Sequence, residues 1–458
     1  MPRFLAAKPD ADLLRLPWHT PLAEWPTEHL VALPRGISRH VVRFIQVADD
    51  IVAAKEILEQ VAVDEYRLLT ELRKLGVPCV EPLGVVLGRT GDDGPLDPVL
   101  LTKHLPFSLP YRALFYRGIK ADTVQRLLDA MVVLLARLHL SGFYWGDVSL
   151  SNILFRRDAG EFAAYLVDAE TGELHERLTD GQREHDLDIA TTNLYGEFLD
   201  LEAGGMLDES LEPAWLVRTI IERYHQLWGE LTDVEEFDES EMYRLEGRVR
   251  RLNTLGFDVA EIEVSTSPDG RKVRMKPKVV DAGHHTRRLM RLTGLDAEEH
   301  QARRLLNDMD TFRASLRTNL PESVLAHKWL MEVFEPAINA IPEDLTGKRD
   351  PAQFFHEMLD YRWYQSQREN RNVPTDEAVQ GYIHDVLRGL PDEHLGALEP
   401  AGERELLNKY DPSMGFADEQ DEAPPYDPWE DQANDPDIPL ATGFDIEALR
   451  RKAAEQGR

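Results

Sequence analysis

A single cysteine, Cys79, stands in the whole chain, so no disulfide can close within it and no multi-thiolate metal site can form. Beside Pro78, at the start of a strand-like run, it reads as a small buried hydrophobe. Long apolar runs are missing as well. No stretch reaches the roughly 18 consecutive apolar residues of a membrane-spanning helix, and the opening Met-Pro-Arg-Phe-Leu-Ala-Ala-Lys-Pro-Asp lacks the apolar segment of a secretory signal. The expectation is a cytoplasmic protein with no membrane span. Positive charge is also in deficit: 52 Lys and Arg stand against 83 Asp and Glu, a net charge of -31. Such a chain repels phosphate backbones at long range, which argues against a general nucleic-acid binder.

What is present is enough for two or three soluble domains: 458 residues, 42% of them hydrophobic. The first part alternates short strand-like runs with one clear helix. His40–Val47 and Ile51–Ile57 form an expected hairpin, and Val80–Gly88 with Val99–Thr102 a second. Between them, Leu58–Gly76 carries Leu58, Val61, Ala62, Leu68, Leu69, Leu72 and Leu75 at mostly helical spacing, ended by Gly76 and Pro78. Phe107–Pro110 reads as a crossing, and Ala121–Leu140 as a long, mostly apolar helix. Ile153–Phe155 and Phe162–Asp168 are short apolar pieces joined by a turn-like Arg156–Glu161. Helices dominate from about Arg183, apart from an expected hairpin of Ile262–Ser265 and Val273–Lys278 around Ser267-Pro268-Asp269-Gly270. The cluster Phe354, Phe355, Tyr361, Trp363 and Tyr364 is expected to pack within that helical region. Residues 244–291 hold twelve Lys or Arg against six Asp or Glu, whereas 411–438 hold ten Asp or Glu and no base. The basic island is either an anion site, a dock for the acidic tail, or a solvated strand face balanced by acidic neighbours. The acidic segment is expected to be a disordered tail open to a protein partner.

The chemistry-bearing segment is Trp145-Gly146-Asp147-Val148-Ser149-Leu150-Ser151-Asn152, followed sixteen residues later by Asp168 at the end of Leu166-Val167-Asp168. An Asp and an Asn in one polar loop, with an Asp closing a neighbouring strand, can supply one base and two hard oxygen ligands of the kind Mg²⁺ prefers. Upstream, Val52-Ala53-Ala54-Lys55 is a strand that carries a lysine. Glu65 interrupts the apolar stripe of the next helix, where a leucine would be expected. A carboxylate on an inward face needs a partner, and Lys55 is the natural one.

This constellation resembles the catalytic loop and metal-binding Asp of the protein-kinase-like superfamily. The run Phe143–Gly160, with Tyr165–Glu173, is similar to a bacterial family of unknown function whose N-terminal part resembles lipopolysaccharide (Kdo-type) kinases. The kinase likeness covers about residues 35–205 and the wider family likeness extends to about 390. The resemblance implies an α+β fold: a bilobal protein-kinase-like core followed by a mostly α-helical C-terminal region with a small β-hairpin. The implied division is an N-terminal extension (1–34), an N-lobe (35–106), a C-lobe core (107–205), a mostly helical domain (206–395) and the acidic tail (396–458). It implies ATP and Mg²⁺ as cofactors, with Asp147 as catalytic base, Lys55 holding ATP phosphates, Glu65 orienting Lys55, and Asn152 and Asp168 binding metal. The implied function is phosphotransfer to an unknown acceptor, a sugar or other small molecule. The alternative is a nucleotide-binding pseudokinase scaffold acting through its C-terminal region. Departures are plain: Trp145 stands where many kinases have His, Ser149 where protein kinases place a Lys, and Asp168-Ala169-Glu170 replaces Asp-Phe-Gly. Leu33–Arg39 has one glycine and no G-x-G-x-x-G, although Gly36 and Ser38 can still offer backbone amides to phosphate.

Overall fold

The computed structural model describes residues 2–6, 12–31, 33, 40–48, 50–116, 121–233, 235–238, 247–248, 251–252, 255–266, 272–316 and 320–394. Gly36, Ser38 and the acidic tail lie outside them. The N-terminal sheet has six antiparallel strands in the order β1-β5-β8-β4-β3-β2. These are β1 (Arg3–Ala6), β2 (Leu30–Val31), β3 (Val41–Val47), β4 (Asp50–Glu56), then helix α1 (Glu59–Lys74), β5 (Glu81–Leu87), a tiny hairpin of β6 (Thr90–Gly91) and β7 (Gly94–Pro95), and β8 (Val99–Lys103). Both edge strands come from the first 34 residues. Between them, Leu13, Trp18, Leu22 and Trp25 pack on one face of the sheet against Ile45, Val52, Ala54 and Val86. Arg89 is buried beneath this cover, donating to the carbonyls of Trp18 (3.1 Å) and Thr20 (2.6 Å) and to Glu56 (2.5 Å). Because strand side chains alternate, Val52 and Ala54 on that face put Lys55 on the other, toward α1.

The second lobe is built around α3 (Ala121–Leu140), whose expected limits and observed limits coincide. Ahead of it, β9 (Ser108–Pro110) and α2 (Tyr111–Tyr116) make the crossing, and β9 is a paired strand rather than a bare linker. After it come β10 (Phe143–Tyr144), β11 (Ile153–Asp158), β12 (Glu161–Leu166), β13 (Glu173–Leu174), α4 (Asp180–Ala203) and α5 (Pro213–Thr232). Leu216, Ile220, Tyr224 and Leu227 of α5 belong to the same apolar core as α3 and α4. The hairpin β11–β12 is longer than expected: Arg156, Arg157 and Asp158 are strand, and the turn is only Ala159 (φ 58°) and Gly160.

Three antiparallel strands follow, in the order β14-β16-β15: β14 (Glu235–Asp238), β15 (Phe257–Thr266) and β16 (Lys272–Ala282). The expected hairpin is therefore part of a three-stranded sheet, its turn lying outside the described residues. Register sets Lys272 opposite Asp238, Arg274 opposite Glu236, Lys276 opposite Glu263 and Lys278 opposite Glu261.

Helices α6 (His284–Thr293), α7 (Glu299–Leu316), α8 (Glu322–Trp329), α9 (Glu335–Asn339), α10 (Pro351–Glu369) and α11 (Thr375–Asp385) enclose a second core. Phe354 and Phe355 are fully buried in it, as expected. Trp363 and Tyr364 are not: they are 54% and 43% exposed, because they fall on the outer side of α10. The fold class is the expected one, an α+β bilobal core followed by a mostly helical region with a small sheet.

Candidate functional site

The lysine of β4 and the glutamate of α1 meet. Lys55 Nζ donates to Glu65 Oε2 at 3.1 Å, to Asp168 Oδ2 at 2.7 Å and to Glu170 Oε2 at 3.0 Å. Glu65 also accepts from the backbone N–H of Ala169 (3.3 Å), which ties α1 to the loop after β12. Glu65, Asp168 and Glu170 bring carboxylate oxygens within 4.8 Å of one another. Even with a proton on Glu65, one ammonium against the carboxylates of Asp168 and Glu170 leaves an excess of negative charge. Burial and the charge of Asp168 push the Glu65 carboxyl up to about 8, against the opposing pull of Lys55. Burial drags Lys55 downward, but Glu65 and Asp168 outweigh it and hold the ammonium above the ordinary lysine range.

The loop of Asp147 and Asn152 runs alongside. Asn152 Nδ2 donates to the Asp147 carbonyl (3.1 Å) and to its Oδ2 (3.2 Å), while Asn193 Nδ2 donates to Asp147 Oδ1 (3.1 Å) and to the carbonyl of Val148 (3.2 Å). Since Asp147 offers Asn152 only acceptors, the amide must present its nitrogen there and turn Oδ1 away. The backbone of Asn152 accepts from Val167 N–H (3.0 Å), so the loop is stitched to the residue before Asp168. Gly146 makes the bend possible. Its φ is +73°, and a Cβ there would lie 2.9 Å from the carbonyl oxygen of Thr171.

Three residues on α4 hold this loop, and sequence reasoning passed over all of them. Asp186, fully buried, accepts from the backbone N–H groups of Trp145 (2.7 Å) and Gly146 (2.8 Å). His139 Nε2 lies 3.2 Å from the same carboxylate and Nδ1 2.6 Å from Tyr224 Oη; with Asp186 accepting only, the imidazole donates from Nε2 and accepts at Nδ1. Burial keeps His139 below the usual histidine range despite Asp186. Glu197 accepts from the N–H groups of Leu150 (2.7 Å) and Ser151 (2.9 Å) and from Ser151 Oγ (2.5 Å). Asp186, Asn193 and Glu197 are seven and four residues apart, which is one face of a helix. That polar stripe was the signal available in the sequence.

The β11–β12 hairpin has Asn152 at one foot and Asp168 just beyond the other. Its tip is covered by the helical region. Ala159 donates its N–H to Gln353 Oε1 (2.9 Å) and accepts from Gln353 Nε2 (3.1 Å); Asp158 accepts from Gln301 N–H (2.8 Å) and pairs with His300 (2.7 Å). Arg157 forms an ion pair with Glu393 (3.0 Å) and Arg156 one with Glu298 (2.9 Å). Elsewhere, His285 of the adjacent histidines bonds Glu299 (2.6 Å) rather than any metal cluster among the described residues. Cys79 is buried and its thiol is pushed up to about 12 by that burial, so it is inert.

Residues 44–197 match the lipopolysaccharide kinase (Kdo/WaaP) family, and residues 226–387 match a domain of unknown function (DUF4032). No curated protein matches the chain. Among solved structures, WaaP in complex with acyl carrier protein is similar at 13% identity and a TM-score of 0.33, over 55% of this chain and 99% of its own. A divergent kinase lacking the glycine-rich loop, which regulates membrane ultrastructure of the Toxoplasma parasitophorous vacuole, is similar at 20% identity and a TM-score of 0.26, over 38% of this chain and 61% of its own. No helix among the described residues is long and apolar enough to cross a membrane.

Proposed function

We propose that this chain is an ATP- and Mg²⁺-dependent phosphotransferase whose acceptor is a sugar or other small molecule. The observation that supports it best is the meeting of Glu65, Asp168 and Glu170 on the single ammonium of Lys55, within the segment that matches the lipopolysaccharide kinase family. Phosphoryl transfer asks the protein mainly for position and charge, and each element needed is at hand. Lys55 is the group for the nucleotide phosphates. Glu65, buried and bonded to Ala169 N–H, fixes where that ammonium points. Asp147, held by two side-chain amides, is oriented to take the proton of an acceptor hydroxyl. Asn152 Oδ1 and the Asp168 carboxylate are hard oxygens of the kind Mg²⁺ binds, and the surplus of negative charge around Lys55 suits a cation. When bound, ATP supplies the phosphoryl group and Mg²⁺ screens the charge on its oxygens.

The test is nucleotide binding by calorimetry on the full chain, with and without Mg²⁺, for wild type and Asp168→Ala, followed by γ-phosphate transfer to a panel of sugars. Metal-dependent binding in wild type, with turnover reduced on the order of a hundredfold or more in the variant, is expected. Binding with no turnover under any metal condition would instead favour the scaffold. A wild-type protein that binds no nucleotide would sink both readings.

A further inference from the structure

Lysine has three N–H donors, and in this structure all three are spent on carboxylates: Glu65, Asp168 and Glu170. None is left for a phosphate. A nucleotide can therefore reach Lys55 only if one carboxylate withdraws, and the three differ in their freedom to do so. Glu65 is 1% exposed and is held on its other oxygen by Ala169 N–H. Asp168 is the most exposed of the three, at 29%, but is braced by the backbone N–H of Glu170 on Oδ1 (2.9 Å). The Glu170 side chain is 19% exposed and, among the described residues, its carboxylate meets only Lys55 Nζ at 3.0 Å and, in a close approach without hydrogen-bond geometry, His40 Nε2 at 2.9 Å. Both of those groups belong to the N-terminal sheet: Lys55 lies on β4, and His40 just before β3. Glu170 comes from the opposite side, in the loop after β12. A carboxylate oxygen there lies between an ammonium and an imidazole of the N-terminal sheet, a position a phosphate oxygen can take.

We propose that Glu170 is a stand-in for nucleotide phosphate: in the empty protein its carboxylate occupies the anion position between Lys55 and His40, and nucleotide binds by displacing it. The inference rests on the phosphotransferase reading. It gives Glu170 a positioning role distinct from metal binding, and it gives His40 a phosphate-facing role that supplements the missing glycine motif. The two residues should then act with opposite sign on the same measurement. Removing Glu170 abolishes the competitor; removing His40 abolishes part of the receptor.

The experiment is ATP titration of the full chain in metal-free buffer containing EDTA and again with Mg²⁺, for wild type, Glu170→Gln, Glu170→Ala and His40→Gln. Glu173→Gln serves as a control, since Glu173 is 67% exposed and carries the same charge three residues on, at the start of β13. Thermal melting confirms that each variant is folded, and the near-isosteric Glu170→Gln guards against a collapsed site. Metal-free affinity is expected to rise on the order of tenfold in both Glu170 variants, to fall in His40→Gln, and to stay unchanged in Glu173→Gln. The proposal is overturned if Glu170→Gln binds metal-free ATP no better than wild type, or loses only its response to Mg²⁺, which would make Glu170 a metal ligand. It is equally overturned if Glu173→Gln tightens binding as much, since the effect would then be one of overall field. If wild type binds no ATP in either buffer, the phosphotransferase reading itself has failed.

Discussion

Glu65 holds a proton that the unfolded chain would release. Its carboxyl sits at about 8 in the folded protein, chiefly through burial and secondarily through Asp168, against an ordinary 4.5. Between those two values the native state binds more protons than the unfolded one, so this group's contribution to stability is complete below pH 4.5 and is lost as pH rises toward 8. Glu298, buried and raised to about 7, adds a slope of the same sign. Glu65→Gln keeps a neutral acceptor at the site and removes the titration. We expect its unfolding free energy, followed by urea denaturation, to vary less with pH between 4.5 and 8 than that of wild type. The difference curve isolates Glu65 from Glu298, and parallel curves would mean that Glu65 is ionised throughout.

At the level of elements, Lys55 and Glu65 were legible because each violates a periodic pattern: a base in a strand of Val and Ala, an acid in a helical stripe of Leu. The helix Ala121–Leu140 was legible for the converse reason, an apolar pattern with a Ser-Gly stop. Polar residues that do structural work inside a helix were not legible. Asp186, Asn193 and Glu197 look like an ordinary solvated face until the loop they bind is known. The strands β1 and β2 escaped notice since they join the sheet only at its edges, and neither pairs with a neighbour in the chain before it. The tip of β11–β12 misled most. Arg156-Arg157-Asp158-Ala159-Gly160 has turn composition, yet Arg157, Asp158 and Ala159 are buried, because the helical region supplies partners for their polar groups. Gln353 alone satisfies both the N–H and the carbonyl of Ala159. Gln353→Ala strands two buried backbone groups, and a cost of about 2 kcal/mol or more is expected in chemical denaturation. Because Asn152 and Asp168 lie at the hairpin's feet, the same variant is expected to weaken the response of nucleotide binding to Mg²⁺ several-fold while leaving metal-free binding intact. A stability loss with unaltered Mg²⁺ response would show that the tip does not position the feet.

Among the described residues the two largest apolar cores, one spanning both α3 and α5 and one within the helices from α6 to α11, are joined through buried charge rather than through a shared apolar layer. Glu393 is the pivot of that junction. Its carboxylate is 2% exposed and pairs with Arg157 of the hairpin (3.0 Å) and with Arg349 (3.2 Å), which in turn bonds Glu357 (3.0 Å). Tyr382 Oη donates to the other oxygen of Glu357. Such a network is costly to bury and costly to break: removing one charge leaves its partners uncompensated in a dry environment, typically at about 3–5 kcal/mol. A Glu393→Gln substitution leaves two buried guanidinium groups, one on each side of the junction, without their shared anion. If this contact is what makes the halves unfold together, calorimetric melting should change from one transition in wild type to two in the variant, the helical half and the N-terminal half separating. The size of the effect depends on the junction and not on either core, since Glu393 belongs to neither apolar cluster. A variant that melts in one transition at a lower temperature would instead mean that Gln301, Gln353 and the Arg156–Glu298 pair couple the halves without it.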